Sequence, residues 1–308
     1  MDPWTDLMDR AAARHGIVTY TELVGAGRSP QQIVHWCRTG SLVTVQRGVY
    51  RVGGAPDSLL ARVSGAVLCF DGDAWASHRT ASDVFALGVS RRDARIQVVR
   101  EVALSAQRTG IQVHRSTHLP AHHLTTHQGI PITSPARTIF DLARTTGPHR
   151  LDQAIARATQ RRLCTVAEIH RVLFDLGGRG RPGTRRLRSV LELWSTDEPA
   201  TESELDQLGR ALLQRVPGIE WQVPIADEQG HIRTVDGLIR ATATVLEFDG
   251  AVFHDPPRAA ALDVDQDRRL TAQGYAVRRF RWHDLTRRDD LTLAEVQRLA
   301  TLPRARPA

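Results

Sequence analysis

Val235-Asp236 is followed, after ten intervening residues, by Glu247-Phe248-Asp249-Gly250, with His254 shortly after. The run Ala243-Thr244-Val245-Leu246-Glu247-Phe248-Asp249 is apolar and β-branched and closes on a glycine, the composition of a strand. Side chains alternate between the faces of a strand, so Glu247 and Asp249 point the same way. A hairpin would bring Asp236 alongside and gather three carboxylates in one place. Oxygen donors of that kind suit Mg²⁺ or Mn²⁺, ions that neutralise charge on a phosphate and acidify their bound water. The chemistry on offer is metal-assisted work on phosphates. Acids at a solvated strand end have the same spacing, so the surrounding elements must decide.

Upstream, Glu202-Ser203-Glu204-Leu205-Asp206-Gln207-Leu208-Gly209-Arg210-Ala211-Leu212-Leu213 has apolar residues at helical spacing, with acids on the other face. Downstream, Asp263-Val264-Asp265-Gln266-Asp267-Arg268-Arg269-Leu270 reads as a charged helix ending near Gly274, and Tyr275 to Trp282 as a strand. Helix, strand, strand with paired acids, helix, strand is the order of a restriction-endonuclease-like core. The segment from about 200 to 285 resembles the Vsr-like nuclease family, the DUF559 type. The resemblance rests on Ser203-Glu204-Leu205-Asp206, Val235-Asp236, Leu246-Glu247-Phe248-Asp249-Gly250, His254, Asp263, Asp267, Gly274-Tyr275 and Arg279-Phe280-Arg281-Trp282. It implies an α/β/α domain around a short mixed sheet that cleaves DNA with Mg²⁺ or Mn²⁺. Asp236 would ligate the metal, Glu247 and Asp249 would ligate it or orient water, and Asp206 would complete the acidic cluster. His254 would act as acid or base or hold a phosphate. The chain departs from the pattern at three places. Asp249 stands where the wider nuclease class usually has lysine, Gln266 where the family tends to have arginine, and Asp206 where it has glutamate.

At 308 residues the chain is long enough for two or three domains, each with its own core. All 41 basic residues are arginine, and the net charge of +7 favours an anionic partner, with nucleic acid the usual one. Cys37, Cys69 and Cys164 are odd in number and lie in apolar stretches, which reads as buried thiols and not as a disulfide or zinc set. No apolar run approaches membrane-spanning length and the N-terminus lacks a signal-peptide core, so no membrane partner and a cytoplasmic location are expected.

The N-terminal fifty residues carry a second signal. Trp4, Leu7, Met8, Ala11 and Ala12 recur at helical spacing before Gly16. Thr19 with Glu22, and Ser29 with Gln32, have the spacing of capping boxes, and Pro30 suits a first helical turn. Ile33, Trp36 and Cys37 give the third helix its core face and Gly40 ends it. Leu42 to Val52 supplies two short strands about Arg47-Gly48, the wing of a winged helix-turn-helix. Gly16-Ile17-Val18-Thr19, Gly27-Arg28-Ser29 and Arg47-Gly48-Val49-Tyr50 make this stretch resemble the N-terminal domain of AbiEi-type antitoxins, DNA-binding partners of type IV toxin–antitoxin pairs. If the third helix enters the major groove, Gln31, Gln32, His35 and Arg38 face the bases, while Arg28, Arg47 and Arg51 meet phosphates. A winged helix can also serve protein contacts.

Residues 54 to 196 also resemble the AbiEi-like architecture, through Ala76-Ser77-His78-Arg79-Thr80-Ala81 and Pro131-Ile132-Thr133-Ser134-Pro135-Ala136-Arg137-Thr138. Helices and strands mix there, and no chemistry follows from the motifs. His114, His118, His122, His123 and His127 suggest metal, yet no helical pair is oriented by a nearby acid, and a solvated loop is expected. Gly178-Arg179-Gly180-Arg181 lacks a P-loop lysine and reads as a basic loop. Ser77-His78 lacks an evident orienting acid, and neighbours on one element do not face each other.

The expected α/β (α+β) multi-domain architecture is thus a winged helix at 1–53, a mixed α/β middle at 54–196 and an endonuclease-fold domain at 197–308, the last preceded by the polar, proline-broken Ser195–Ala200. Two functions compete. One is a metal-dependent endonuclease aimed at duplex DNA by the winged helix. The other is an antitoxin-like regulator, with a cognate toxin as protein partner, whose nuclease fold has lost catalysis.

Overall fold

The computed structural model describes residues 2–90, 94–102, 108–177, 181–194, 202–248 and 257–302, with the backbone alone for 202 and 257–263. Helices and three sheets form a multi-domain α+β architecture. The chain divides into two compact units, Met1–Thr165 with Pro182–Leu187, and Val166–Arg181 with Arg188–Ala308.

The first unit opens with α1 (Pro3–Ala13), β1 (Ile17–Thr19), α2 (Tyr20–Gly25), α3 (Pro30–Thr39), β2 (Leu42–Gln46) and β3 (Val49–Val52). The sheet order is β1-β3-β2, antiparallel throughout. β1 adds a strand that the sequence pattern did not single out. Three residues are too few to show a period of two, and its register, Ile17 opposite Arg51 and Thr19 opposite Val49, is fixed only by a distant partner. Leu7, Ala11, Val18, Leu23, Ile33 and Leu42 bury together under Trp4, Trp36 and Tyr50.

Within the same unit, α4 (Leu59–Leu68), capped by the Ser58 hydroxyl, lies between this small sheet and a second one. Gly65 lets α4 approach β2, since a Cβ there would stand 3.1 Å from Val45 Cγ2. The second sheet is mixed, with order β6-β5-β4-β8-β7, from β4 (Trp75–Ala76), β5 (Ile96–Arg100), β6 (Ile111–Arg115), β7 (Leu124–His127) and β8 (Ile130–Thr133). Around it run α5 (His78–Val84), α6 (Pro135–Leu142) and α7 (Pro148–Gln160). The histidine-rich stretch expected as a solvated loop is instead a short helical turn, Ala121–His123, leading into the β7–β8 hairpin, with His123 fully buried.

The second unit contains α8 (Val166–Leu176), most of α9 (Thr184–Trp194), α10 (Glu202–Leu213), β9 (Ile219–Asp227), β10 (Gly230–Ile239), β11 (Thr244–Phe248), α11 (Pro257–Ala272), β12 (Ala276–Phe280), α12 (Trp282–Thr286) and α13 (Asp289–Thr301). The sheet order is β12-β11-β10-β9, with only the β11–β12 pair parallel, across the α11 crossover. The expected helix–strand–strand–helix–strand order is present with an additional strand, β9, as hairpin partner of β10. On one face Leu205, Leu208 and Leu212 of α10 pack against Ile239, Leu246, Phe248 and Phe280. On the other, Leu270 of α11 packs against Val235, Leu238 and Val245. Apolar residues on both faces of the strands make a three-layer α/β/α unit.

Candidate nucleic-acid interface and acidic strand pair

Both capping boxes of the N-terminal region form. The Thr19 hydroxyl accepts from the Glu22 amide while Glu22 accepts from the Thr19 amide at 2.9 Å, and Ser29 and Gln32 repeat the exchange at 3.2 and 2.8 Å. Pro30 begins α3 and Gly40, at φ +78°, ends it. Ile33 anchors the helix in the core, so the opposite side is fixed in space. That side exposes Gln31, Val34, His35 and Arg38, which with Pro30 line a shallow groove. The spacing i, i+3, i+4, i+7 is one helical stripe.

The other DNA-contact candidates are placed less simply. Gln32 is exposed, but its carbonyl oxygen is held by the Ser29 amide, so a bidentate pairing with adenine would require opening the cap. Arg28 is half-buried, with its guanidinium stacked over Trp4 at 4.3 Å. Arg51 is half-buried too and donates to the Ala55 carbonyl. Arg47 stands exposed at the β2–β3 turn, the wing position. Val34, which carries no hydrogen-bonding group, was not among the residues expected on this face. The signal was present in its spacing, three residues from Gln31 and four from Arg38.

In the second unit the β10–β11 register runs from Ile239 opposite Thr244 to Gly237 opposite Leu246, with Asp236 and Glu247 just beyond its last pair. Asp236 sits at an irregularity where Gln222 takes φ +51°. Its Oδ2 accepts from the Phe248 amide at 2.9 Å and its Oδ1 from the Gln222 side-chain amide at 3.2 Å. Glu247 is 5% exposed, and its Oε1 lies 3.6 Å from Arg233 Nε. Arg233 also donates to Asp267 of α11, which accepts in turn from Arg279 of β12 at 2.6 Å. Leu246 and Phe248 face α10, so Glu247 between them faces the α11 side. Asp206 belongs to α10, where its carboxylate accepts from Arg210 at 2.9 Å. The sheet therefore lies between Asp206 and Glu247. Asp249 and His254 lie outside the described residues.

These placements test the donor set for Mg²⁺ or Mn²⁺. Both oxygens of Asp236 already accept hydrogen bonds, and a guanidinium stands beside Glu247 where a cation would compete with it. Among the described residues no trio containing Asp236 and Glu247 brings its donor atoms within 4.8 Å of one another. A divalent ion of this type wants several oxygens in near-octahedral array. The described residues do not fit it.

The middle sheet holds a buried polar network. Arg137, 1% exposed, donates from Nε to Asp141 Oδ1 at 3.0 Å, from Nη1 to His123 Nδ1 at 3.0 Å and from Nη2 to Ser116 Oγ at 3.2 Å. His78 stacks on His114 with ring centres 3.6 Å apart, and His127 packs on Phe85. Burial lowers the His78 pKa to about 3 and that of His114 to about 4. His78 takes φ +52°, which folds its ring back until Nδ1 lies 3.0 Å from Ser77 Oγ, so these neighbours do face each other. An acid is also near, with Asp141 Oδ2 4.0 Å from the same Nδ1. A serine–histidine–acid relay needs the two partners on different ring nitrogens. This network is architectural.

Comparison with known proteins bears on both N-terminal modules. Residues 6–53 match the family described as "Transcriptional regulator, AbiEi antitoxin", and residues 75–193 match the "AbiEi antitoxin C-terminal domain". The second match contains the Ser77-His78-Arg79 and Pro135-Ala136-Arg137 motifs, and it ends before Asp206, Asp236 and Glu247. No curated protein matches the chain. Among solved structures, the chain is similar to the RV2827C protein from Mycobacterium tuberculosis, at 18% identity over 61% of this chain and 76% of that one, with a TM-score of 0.40. The chain thus carries both AbiEi antitoxin domain types, the transcriptional-regulator type at residues 6–53 and the C-terminal-domain type at residues 75–193.

Proposed function

We propose that this protein is a DNA-binding transcriptional regulator of the AbiEi antitoxin type, which lays α3 in the major groove of duplex DNA and rests Arg47 on backbone phosphates. The observation that carries the reading is the exposed stripe of Gln31, His35 and Arg38 on a helix held by a cap at its start and by Ile33 in the core. Arginine and glutamine are the side chains whose forked donors and acceptors match guanine and adenine edges. The wing arginine supplies a contact that positions without specifying, and the net charge of +7 favours approach to a polyanion. A cognate toxin protein is the second partner that an antitoxin reading carries. The test is affinity of the full chain for duplex DNA across a salt series. A steep fall of log affinity with log salt is expected, and Arg47→Ala should lower that slope by about one while weakening all sequences alike. Affinity indifferent to salt would sink the reading.

The placement of Asp236 on β10 and Glu247 on the neighbouring strand β11 favours a second reading, a Mg²⁺- or Mn²⁺-dependent endonuclease. It depends on Asp249 to complete the ligand set and on His254 to act as acid or base or to hold a phosphate. The regulator reading expects intact duplex, mismatched and single-stranded DNA after incubation with either ion. Cutting that disappears in Asp236→Ala would establish the second reading in its place.

A further inference from the structure

Val34 is the exposed large apolar side chain of α3, at 50% exposure, and it sits in the middle of the stripe formed by Gln31, His35 and Arg38. Nothing in the folding of the domain calls for it. Ile33 makes the core contact, and valine is a poorer helix former than the residues usual at exposed helical positions. What valine supplies is a stiff, branched apolar surface whose χ1 is held by the helix, so ordering it on contact costs little. Its neighbours one turn to either side, Gln31 and Arg38, are hydrogen-bonding groups that line the same groove. In the major groove one base alone presents an apolar group, the C5-methyl of thymine.

We propose that Val34 reads a thymine methyl, and so is a specificity-determining residue within the stripe. The inference rests on the DNA-binding reading above and adds a base identity to it. A methyl-sized apolar contact corresponds to about a fourfold change in affinity. The experiment uses the full chain and a duplex selected by it from a randomised pool. Each thymine is then replaced singly by deoxyuridine, which removes the methyl and nothing else. At one position or at the two symmetry-related positions of a repeat, wild type should lose about fourfold in affinity. Val34→Ala should bind the thymine duplex about fourfold more weakly and then lose nothing further at that position. Such non-additivity is the mark of a direct contact. Val34→Thr, which keeps the branch and one methyl, should fall between. Alanine favours helix, so an unchanged circular dichroism spectrum confirms that α3 persists. Salt-dependent binding in which no thymine couples to position 34 overturns this inference and leaves the regulator reading standing. Folded protein that binds no duplex overturns both.

Discussion

At the scale of single residues, Arg137 is the side chain on which most depends. Among the described residues it is the largest of the fully buried side chains; it pairs with Asp141 one turn along α6 and ties that helix to the segment before β7 through His123 and Ser116. A buried charge is tolerated only with its partners in place, and deleting one member strands the other. Arg137→Met should therefore cost about 3–5 kcal/mol in urea unfolding. The double variant Arg137→Met/Asp141→Leu should recover much of that loss, because no charge is then left uncompensated. Equal destabilisation of the single and double variants would show that the pair is not what the arginine satisfies. The same logic separates the arginines of the winged helix. Arg28 and Arg51 are occupied by Trp4 and Ala55, and Arg47 is presented to solvent.

Between elements, close approach depends on glycine where two layers would otherwise collide. A Cβ on Gly209 of α10 would stand 2.4 Å from the Phe248 ring of β11. The ring is 2% exposed and packed on Trp221 and Phe280, so it has little room to retreat. Gly209→Ala should destabilise this unit by about 1–3 kcal/mol, the usual cost of overpacking a core. Gly25, which closes α2, has nothing within 4 Å of its would-be Cβ. Gly25→Ala should be neutral, or stabilise by about 0.5–1 kcal/mol through the unfolded chain. Thermal unfolding of the two variants side by side tests both. If Gly209→Ala melts with wild type, the α10–β11 packing is looser than described.

At the scale of the whole molecule, three histidines among the described residues, His78, His114 and His170, are held in surroundings that resist protonation. His170 of α8, 2% exposed and edge-on to Trp282, has a pKa lowered by burial and then by Arg188 to about 3, against the ordinary 6.5. His78 and His114 shift the same way in the other unit. The unfolded chain takes up these protons first. The stability each contributes is therefore complete above pH 6.5 and is lost progressively as pH falls from 6.5 towards the folded values. For His170 the loss by pH 5 is about 2 kcal/mol. Stability measured between pH 7.5 and 5 should fall with acid, and His170→Phe should flatten the slope. An unchanged slope in that variant would remove His170 as a source of acid sensitivity.

The sequence alone determined whatever depends on residues within about four positions of one another. The Thr19–Glu22 and Ser29–Gln32 boxes, the proline start of α3 and its glycine stop at Gly40 are all local exchanges, and all formed. The strand character of 244–248 and the helix over Glu202–Leu213 were legible for the same reason, as periodicity within one element. Only the tertiary structure decided which faces meet. The histidines between 114 and 127 looked like solvent-facing groups until the β7–β8 pairing and the demands of Arg137 drew His123 inside. Periodicity placed acids on α10 and on β11, yet the apolar residues on either side of Glu247 turned it to the far side of the sheet from Asp206. A pattern along a chain says which residues share a face. Which layer covers that face, and which charges it brings, is settled by partners dozens of residues away, through burial that no local spacing encodes.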